Sequence, residues 1–242
     1  MKAMIFAAGL GTRLKPLTDS MPKAMVPIAG KPLLEHCILK LKTAGFNEII
    51  INVHHFADQI IEFLRQKNNF DIRIEISDER DALLETGGGI KRAAPFFDDE
   101  QPFLVHNVDI LSDIDLQALY ALHVEQNALA TLAVSPRKTS RYLLFDDENR
   151  LQGWINDSTG ETKSPFSNFV PSAYQRFAFS GVHIISPRIF DFMCDFPAKF
   201  SIIDFYLSVC GKEKIIASPL PQLRLIDVGK LDSLQQAEAF FL

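Results

Sequence analysis

The first half of the chain alternates short apolar runs with stretches whose apolar residues recur every three or four positions. The apolar runs predict buried strands at 3–8, 48–53, 73–77 and 103–106. The periodic stretches predict helices at 32–45, 57–67, 90–94 and 114–127. Because strands and helices alternate in this way in doubly wound sheets, we predict an α/β protein with a three-layer, Rossmann-like architecture and a mixed, mainly parallel central sheet.

The second half of the chain has a looser pattern. Its apolar runs predict strands at 130–134, 142–145, 151–154, 177–185, 215–218 and 225–227, and its periodic stretches predict helices at 187–194, 202–210 and 231–240. The segment 156–172 is rich in Ser, Thr, Asn, Gly and Pro, which predicts a long exposed loop. Such a loop could close over a bound acceptor as a lid.

Composition narrows the classes of protein to which the chain can belong. With 242 residues, of which 47% are hydrophobic, the chain can bury a core large enough for one α/β domain. The net charge of −5, without runs of Lys or Arg, argues against a nucleic-acid partner or an anionic membrane surface. No run approaches the roughly 18 to 20 apolar residues of a membrane span, so we expect a cytoplasmic protein. The widely spaced Cys37, Cys194 and Cys210 predict buried, reduced thiols.

A glycine-rich turn follows the first predicted strand and supplies the first candidate chemistry. Gly9 and Gly11 let a ligand approach the main-chain amides, and Arg13, Lys15 and Lys23 add positive charge nearby. In open α/β sheets, ligands bind at the carboxyl ends of the strands. The segment therefore predicts a phosphate site at the end of the first strand.

Other interpretations of this turn fit the residues less well. A dinucleotide-binding fingerprint requires a third glycine where Leu14 stands, and Pro16 argues against a helix opening there. A Walker loop requires GKS or GKT, and the run has neither. An ordinary strand-to-loop connection with solvated charges remains the alternative.

Two further features adjoin predicted strands and helices: two aspartates at strand ends, and a run of glycines before a helix. Asp109 follows the fourth predicted strand, so its carboxylate can hold a hard cation through oxygen, and Asp227 likewise ends the last predicted strand. Asp109 as a turn or cap residue is the alternative. The run Gly87–Gly89 predicts a loop before the helix at 90–94, where a base or ribose approaches the backbone; a tight loop alone is the other interpretation.

The run AAGLGTRLKPLT, followed by Pro22 and Lys23, resembles the signature of the sugar-1-phosphate nucleotidylyltransferases, also called nucleoside-diphosphate-sugar pyrophosphorylases. The run LETGGG is similar to the branch containing N-acetylmuramate-1-phosphate uridylyltransferases, and also to mannose- and heptose-1-phosphate guanylyltransferases. The resemblance spans nearly all residues and is strongest in the first 110. It implies one nucleotidyltransferase domain over 1–242, with a nucleotide-binding half at 1–110 and a sugar-binding half at 111–242.

The resemblance also implies a reaction and roles for particular residues. A nucleoside triphosphate and a sugar 1-phosphate would give a nucleotide sugar and pyrophosphate with Mg²⁺ as cofactor, and UTP with N-acetylmuramate 1-phosphate is the first choice. Catalytic roles fall to Arg13, Lys23 and Asp109. The implied nucleotide-binding residues are Ala8, Gly9, Gly11, Thr12, Arg13, Lys23, Glu85, Thr86, Gly87 and Gly88. Asn107 and Gly181 are the implied sugar contacts, and Asp109 and Asp227 the implied metal ligands.

The chain departs from the family pattern at three places, one of which is Leu225 and Ile226, where an aromatic residue often precedes the second aspartate. Val108 stands where the family usually has glycine, and the Glu-Lys-Pro-like motif with the sugar-phosphate lysine is absent, which leaves Lys138, Arg141 and Lys163 as candidates. GTP-dependent mannose or heptose transfer, cytidylyl transfer to a phospho-alcohol or acidic sugar, and a non-catalytic nucleotide-sugar sensor or regulatory subunit remain alternatives. A homo-oligomer is possible.

Overall fold

The computed structural model describes residues 1–241, which contain fourteen strands and seven α-helices. The strands are β1 Lys2–Phe6, β2 Pro27–Ile28, β3 Lys31–Pro32, β4 Glu48–Val53, β5 Arg73–Asp78, β6 Phe103–Asn107, β7 Ile110–Ser112, β8 Ala130–Ser135, β9 Arg141–Phe145, β10 Leu151–Asn156, β11 Glu161–Lys163, β12 Gln175–Ile185, β13 Ile215–Pro219 and β14 Leu225–Asp227. The helices are α1 Leu33–Thr43, α2 Ala57–Gln66, α3 Glu85–Ala93, α4 Leu116–Gln126, α5 Ile189–Met193, α6 Ile202–Val209 and α7 Asp232–Ala239.

Ten of these strands form one mixed sheet. Its main path runs β11-β10-β9-β12-β6-β1-β4-β5, and β12 also pairs with β8, which pairs with β13. The strands β5, β4, β1 and β6 are mutually parallel, and β12 runs antiparallel to β6, β8 and β9. Since β13 is parallel to β8, and β10 is antiparallel to both β9 and β11, only β12 and β10 oppose the common direction. The predicted mixed, mainly parallel sheet is confirmed.

Helices cover both faces of the sheet, which gives three layers. Successive residues of β1 show this directly, because Ala3 and Ile5 belong to one buried apolar cluster and Met4 to another. The first cluster includes Ile38 of α1, and the second includes Ile90 of α3. A strand buried on both faces needs a continuous apolar run, which explains why this part of the sequence lacks the alternation of a half-exposed strand.

Several predicted elements match closely. The strand predicted at 48–53 is β4, and the helix predicted at 32–45 is α1, preceded by Pro32 and followed by Gly45 at a φ of 86°. That left-handed backbone angle is the reason for glycine after the helix. No helix within residues 1–241 has the length and apolar character to cross a membrane.

Three expectations are wrong. The run Gly87–Gly89 is not a loop, because α3 begins at Glu85 and the glycines lie inside the helix. The segment 156–172 is not one long loop, since Glu161–Lys163 adds to the sheet beside β10 through backbone hydrogen bonds. Of the three free cysteines, Cys37 is buried, Cys210 is partly buried, and Cys194, which directly follows the short helix α5, is exposed.

Candidate active site

A cleft opens at the carboxyl ends of β1 and β6, where the glycine-rich turn begins. Its cavity is about 270 Å³ and is lined by Phe6, Ala7, Ala8, Gly9, Lys23, Asn52, Glu79, Leu83, Glu85, Thr86, Asn107, Val108 and Asp109. Seven of the residues implied as site residues therefore share one cleft: Ala8, Gly9, Lys23, Glu85, Thr86, Asn107 and Asp109. The position agrees with the general placement of ligand sites in α/β sheets.

The glycine-rich turn leaves one side of the backbone open. Gly9 is exposed, and a Cβ placed on it would meet no atom within 4 Å. Gly11 is different, because its φ of 63° is left-handed and a Cβ there would lie 2.9 Å from the Thr18 Cγ2. The Thr18 hydroxyl donates to the Gly11 carbonyl at 2.8 Å. The turn therefore requires glycine at position 11, while at position 9 it leaves free space beside the backbone. Thr12 and Arg13, which follow, are both exposed.

Lys23 and Asp109 form an ion pair in the floor of the cleft. The Lys23 ammonium donates to the Asp109 carboxylate, and the two side chains are only 10% and 19% exposed. Lys23 begins a short 3₁₀ helix, Lys23–Met25, and Asp109 follows β6. A buried lysine beside a carboxylate can transfer some of its hydrogen bonds to an incoming phosphate.

Asp227 lies beside Asp109 although the two are far apart in sequence. The strands β7 and β14 pair so that Asp227 faces Ile110, and the Val228 N–H donates to the Asp109 carbonyl at 2.8 Å. Residues 1–241 contain no group of three or more His, Cys, Asp or Glu side chains that could hold a metal ion. Mg²⁺ is commonly held by one or two carboxylates, with substrate phosphates and water completing its shell. The two aspartates therefore fit the donor set that the implied Mg²⁺ requires.

Gly87 and Gly88 of α3 face the segment 198–200 rather than the cleft. A Cβ on Gly87 would lie 2.3 Å from the Phe200 ring, and one on Gly88 would lie 2.1 Å from the Ala198 carbonyl oxygen. The Gly87 and Gly88 amides also donate to the Phe200 carbonyl, at 2.9 and 3.3 Å. Close packing of α3 on 198–200 accounts for these two glycines, and neither of them lines the cleft.

Asn52 and Glu79 are cleft residues that the sequence analysis missed. The Asn52 side-chain oxygen accepts from the Ala7 and Ala8 amides at 2.7 and 3.2 Å, and its NH₂ donates to the Glu79 carboxylate at 2.7 Å. Burial raises the pKa of Glu79. Asn52 thus holds the first residues of the glycine-rich turn in place. The sequence signal that could have identified Asn52 is a polar asparagine among the isoleucine and valine residues of β4.

Val108, the departure from the family pattern, keeps ordinary backbone geometry. Its N–H donates to the Phe6 carbonyl at 3.2 Å, which extends the pairing of β1 with β6 by one residue. Its side chain is buried in the apolar core. Valine is therefore accommodated here without left-handed backbone angles.

A second cavity of about 520 Å³ begins beside Asp227. It is lined by Arg13, Arg137, Thr139, Ser140, Arg141, Leu143, Trp154, Phe179, Ile203 and Asp227. Of the three cations considered in the sequence for the sugar phosphate, only Arg141 lies here, whereas Lys163 pairs with Asp204 at 3.0 Å and Lys138 does not line the cavity. Arg137 is a cavity residue that the sequence analysis missed.

Gly181 of β12 lies next to Asn107 of β6. Its φ is 79°, and a Cβ there would lie 2.6 Å from the Asn107 side-chain nitrogen. The pairing of β12 with β8 is irregular between Phe179 and His183, so Gly181 occupies a bulge. The structure thus brings the two residues implied as sugar contacts side by side.

Comparisons with known proteins identify relatives of this chain. A protein family described as nucleotidyl transferase matches residues 2–150. An N-acetylmuramate alpha-1-phosphate uridylyltransferase of Neisseria meningitidis serogroup B is 36% identical over 199 residues, which cover 79% of this chain and 78% of that protein. A UTP–glucose-1-phosphate uridylyltransferase of Synechocystis is 34% identical over 98% of this chain, which spans only 62% of that longer protein.

Solved structures share the fold over the whole chain. HddC from Yersinia pseudotuberculosis, complexed with GMP-PN, has a TM-score of 0.77 and 25% identity, and the match covers 100% of this chain and 99% of that one. A UDP-glucose pyrophosphorylase complexed with UDP-glucose has a TM-score of 0.78 at 19% identity, covering 99% of this chain and 97% of the other. Since the family match covers more than half of the 242 residues, the chain belongs to the nucleotidyl transferase family.

Proposed function

We propose that the protein is a sugar-1-phosphate uridylyltransferase that uses UTP and N-acetylmuramate 1-phosphate. The observation that carries the proposal is the junction of the two cavities: the Lys23–Asp109 pair lies in the first, and Asp227, beside Asp109 through the Val228 hydrogen bond, lies in the second. A nucleotide in the first cavity and an acceptor in the second would meet at that junction. The Neisseria relative and a Caulobacter vibrioides relative with the same name, 48% identical over 44% of this chain, support the choice of substrates.

The reaction needs positioning and charge stabilisation more than a general base. A phosphate oxygen of the sugar 1-phosphate attacks the α-phosphorus of UTP, a new O–P bond forms, and the bond to the β-phosphate oxygen breaks to release pyrophosphate. The attacking oxygen is already anionic at neutral pH. The protein therefore has to bring two polyanions together and hold the charge that develops on pyrophosphate.

The residues of the junction and of the two cavities suit different parts of this task. The main-chain amides near Gly9 and the Arg13 guanidinium would hold the β- and γ-phosphates. The Lys23 ammonium, between both phosphates, would reduce their repulsion. Asp109 and Asp227 would hold Mg²⁺, which when bound supplies further positive charge against the triphosphate oxygens. Glu85 and Thr86 line the end of the cleft where the base would lie.

A guanylyltransferase is the second candidate. The structure of HddC, which matches the whole chain, contains GMP-PN, and a mannose-1-phosphate guanyltransferase of Gibberella zeae is 36% identical over 56% of this chain.

A substrate panel separates the uridylyltransferase from the guanylyltransferase. Pyrophosphate release is measured with UTP, GTP, CTP, ATP and dTTP, each paired with N-acetylmuramate, N-acetylglucosamine, glucose, mannose and heptose 1-phosphates, with and without Mg²⁺. We expect the highest kcat/KM for UTP with N-acetylmuramate 1-phosphate. A higher value for GTP with mannose or heptose 1-phosphate would select the guanylyltransferase, and silence across the panel would refute transfer to a sugar phosphate.

Two substitutions test the junction itself. Lys23→Ala and Asp109→Ala should each lower kcat/KM by at least about tenfold, equivalent to roughly 1.4 kcal/mol of lost transition-state stabilisation. Arg65→Ala is the matched control, because Arg65 is 76% exposed on α2 and its only carboxylate partner among the described residues is the neighbouring Glu62. Thermal unfolding shows whether the variants remain folded. Activity like that of the unmodified protein in either junction variant would contradict the assignment.

A further inference from the structure

The second cavity contains an unusual excess of positive charge. Seven of the eleven arginines have a carboxylate within 4 Å among the described residues, namely Arg65, Arg73, Arg80, Arg92, Arg150, Arg176 and Arg188. Of the other four, Arg13, Arg137 and Arg141 all line the second cavity, where Asp227 is the one acidic lining residue. Three guanidinium groups gathered around a single carboxylate repel one another unless an anionic ligand joins them.

We propose that this cavity selects acceptors that carry a second negative charge besides the 1-phosphate, and that Arg141 binds that second charge. The inference rests on the proposed function, because it takes the second cavity as the acceptor site. The nucleoside triphosphate already has Lys23, Arg13 and the glycine-rich turn to hold its phosphates. Arg137 and Arg141 therefore remain for the acceptor, and a neutral sugar 1-phosphate brings only one anionic group to two guanidinium groups.

The two arginines differ in how firmly the protein holds them. One terminal NH₂ of Arg137 donates to the Phe179 carbonyl at 3.0 Å, and its Nε is buried without a hydrogen-bond partner within the described chain. A guanidinium fixed in this way suits the phosphate that every acceptor has. Arg141 is exposed, and its guanidinium makes no hydrogen bond or ion pair with the residues that the structure describes. The Arg141 guanidinium can therefore move to contact a charged substituent that some sugars carry and others lack.

An aromatic surface for the sugar ring lies beside Arg141. Arg141 and Leu143 point to the same face of β9, since side chains alternate along a strand, and Trp154 pairs with Leu143 across the hairpin. Trp154 and Phe179 both line the cavity. A sugar in contact with Trp154 would therefore lie on the same face of the hairpin as Arg141. A carboxylate substituent can accept two parallel hydrogen bonds from the guanidinium, which a hydroxyl cannot.

The only tryptophan of the chain allows acceptor binding to be measured without turnover. Trp154 is the single Trp and lies in the cavity, so quenching of its fluorescence reports a ligand there. The probes are N-acetylmuramate 1-phosphate and N-acetylglucosamine 1-phosphate, which share the ring and differ by a lactyl ether carboxylate. We expect the unmodified protein to bind the carboxylate-bearing sugar at least about tenfold more tightly, a difference of roughly 1.4 kcal/mol. The ratio of the two kcat/KM values with UTP should show the same preference.

Substitutions of Arg141 and Arg137 test which residue causes the preference for the carboxylate-bearing sugar. Arg141→Gln should reduce the ratio of the two affinities at least about fivefold, whereas Arg137→Gln should weaken both sugars and leave the ratio nearly unchanged. Arg150→Gln is the control, because it removes the same charge at the far end of the β9–β10 hairpin, where Arg150 is 54% exposed and pairs with Glu148. Thermal unfolding of each variant separates lost binding from lost structure.

The outcomes distinguish this inference from the proposed function. Equal affinity of the unmodified protein for both sugars, or an Arg141→Gln variant with an unchanged ratio, would overturn the inference even if transfer to a sugar phosphate is observed. Selective quenching that depends on Arg141, in a protein that releases no pyrophosphate with any nucleotide, would support the acceptor site and refute the transferase proposal.

Discussion

Replacing Gly88 by alanine tests whether the glycines of α3 serve protein packing or ligand binding. The added Cβ would lie 2.1 Å from the Ala198 carbonyl oxygen and 3.1 Å from the Ala198 carbonyl carbon, whereas real Cβ atoms essentially never approach a neighbour within 3.0 Å. The obstacle is backbone, so no side chain can rotate away. Either α3 or the segment 198–200 must shift, and the hydrogen bonds from the Gly87 and Gly88 amides to the Phe200 carbonyl would lengthen.

The expected loss of stability follows from these contacts. Overpacking of this kind costs about 1 to 3 kcal/mol, and stretching two backbone hydrogen bonds adds to it. The gain in helix propensity from glycine to alanine offsets about 1 kcal/mol. We therefore expect a net loss of about 2 kcal/mol for Gly88→Ala, which corresponds to a Tm lower by about 4 to 8 °C in a chain of this size.

The assay is thermal unfolding followed by circular dichroism, with UTP binding measured on the same samples. Gly9→Ala is the matched control, because a Cβ at Gly9 meets nothing within 4 Å and its Tm should change by less than about 1 °C. The packing argument would be refuted if Gly88→Ala kept its Tm while its affinity for UTP fell at least about tenfold. That result would mean that the base, rather than the segment 198–200, requires the glycine.

Two further predictions concern buried polar groups. Asn52→Ala should lower the free energy of unfolding by about 2 kcal/mol and weaken UTP binding, because the Ala7 and Ala8 amides and the Glu79 carboxylate lose their hydrogen-bond partner. Urea unfolding measures the loss of stability, and a loss below about 0.5 kcal/mol would contradict the prediction. Burial lowers the pKa of His106 from 6.5 to about 4, so its proton binds more readily to the unfolded chain and stability should fall as the pH drops from about 6.5 towards 4, by up to about 3 kcal/mol from this group. Urea unfolding between pH 7.5 and 5 should show a shallower decline in His106→Gln, and equal slopes would show that His106 does not contribute.

Much of the fold was predictable because its signal is local. The run at 48–53 is apolar over a length typical of a buried strand, and β4 has the same bounds. The glycine-rich turn and Asp109 each follow such a run, so the rule that ligands bind at the carboxyl ends of parallel strands was enough to predict that they meet. The structure brings Gly9, Lys23 and Asp109 into one cleft.

The α3 glycines show where local reasoning failed. Three glycines in a row predict a loop, because glycine disfavours a helix interior by about 1 kcal/mol per residue. The structure has a helix there, and Gly87 and Gly88 are required within it because the close approach of Phe200 and Ala198 leaves no space for a Cβ. The residues that decide this lie more than a hundred positions away, and no window of the sequence contains both.

The sequence by itself determined the alternation of the main strands and helices, the phosphate-binding character of the first turn and the family resemblance, since each of these is carried by short continuous runs of residues. Only the tertiary structure decided which distant residues meet. The pairing of β7 with β14 brings Asp227 to Asp109, and the pairing of β9 with β10 and β12 gathers Arg137, Arg141 and Trp154 in one cavity. The physical reason is that hydrophobic periodicity is set along the chain, whereas the charge and shape of a cavity are set by the order in which strands pair across the sheet.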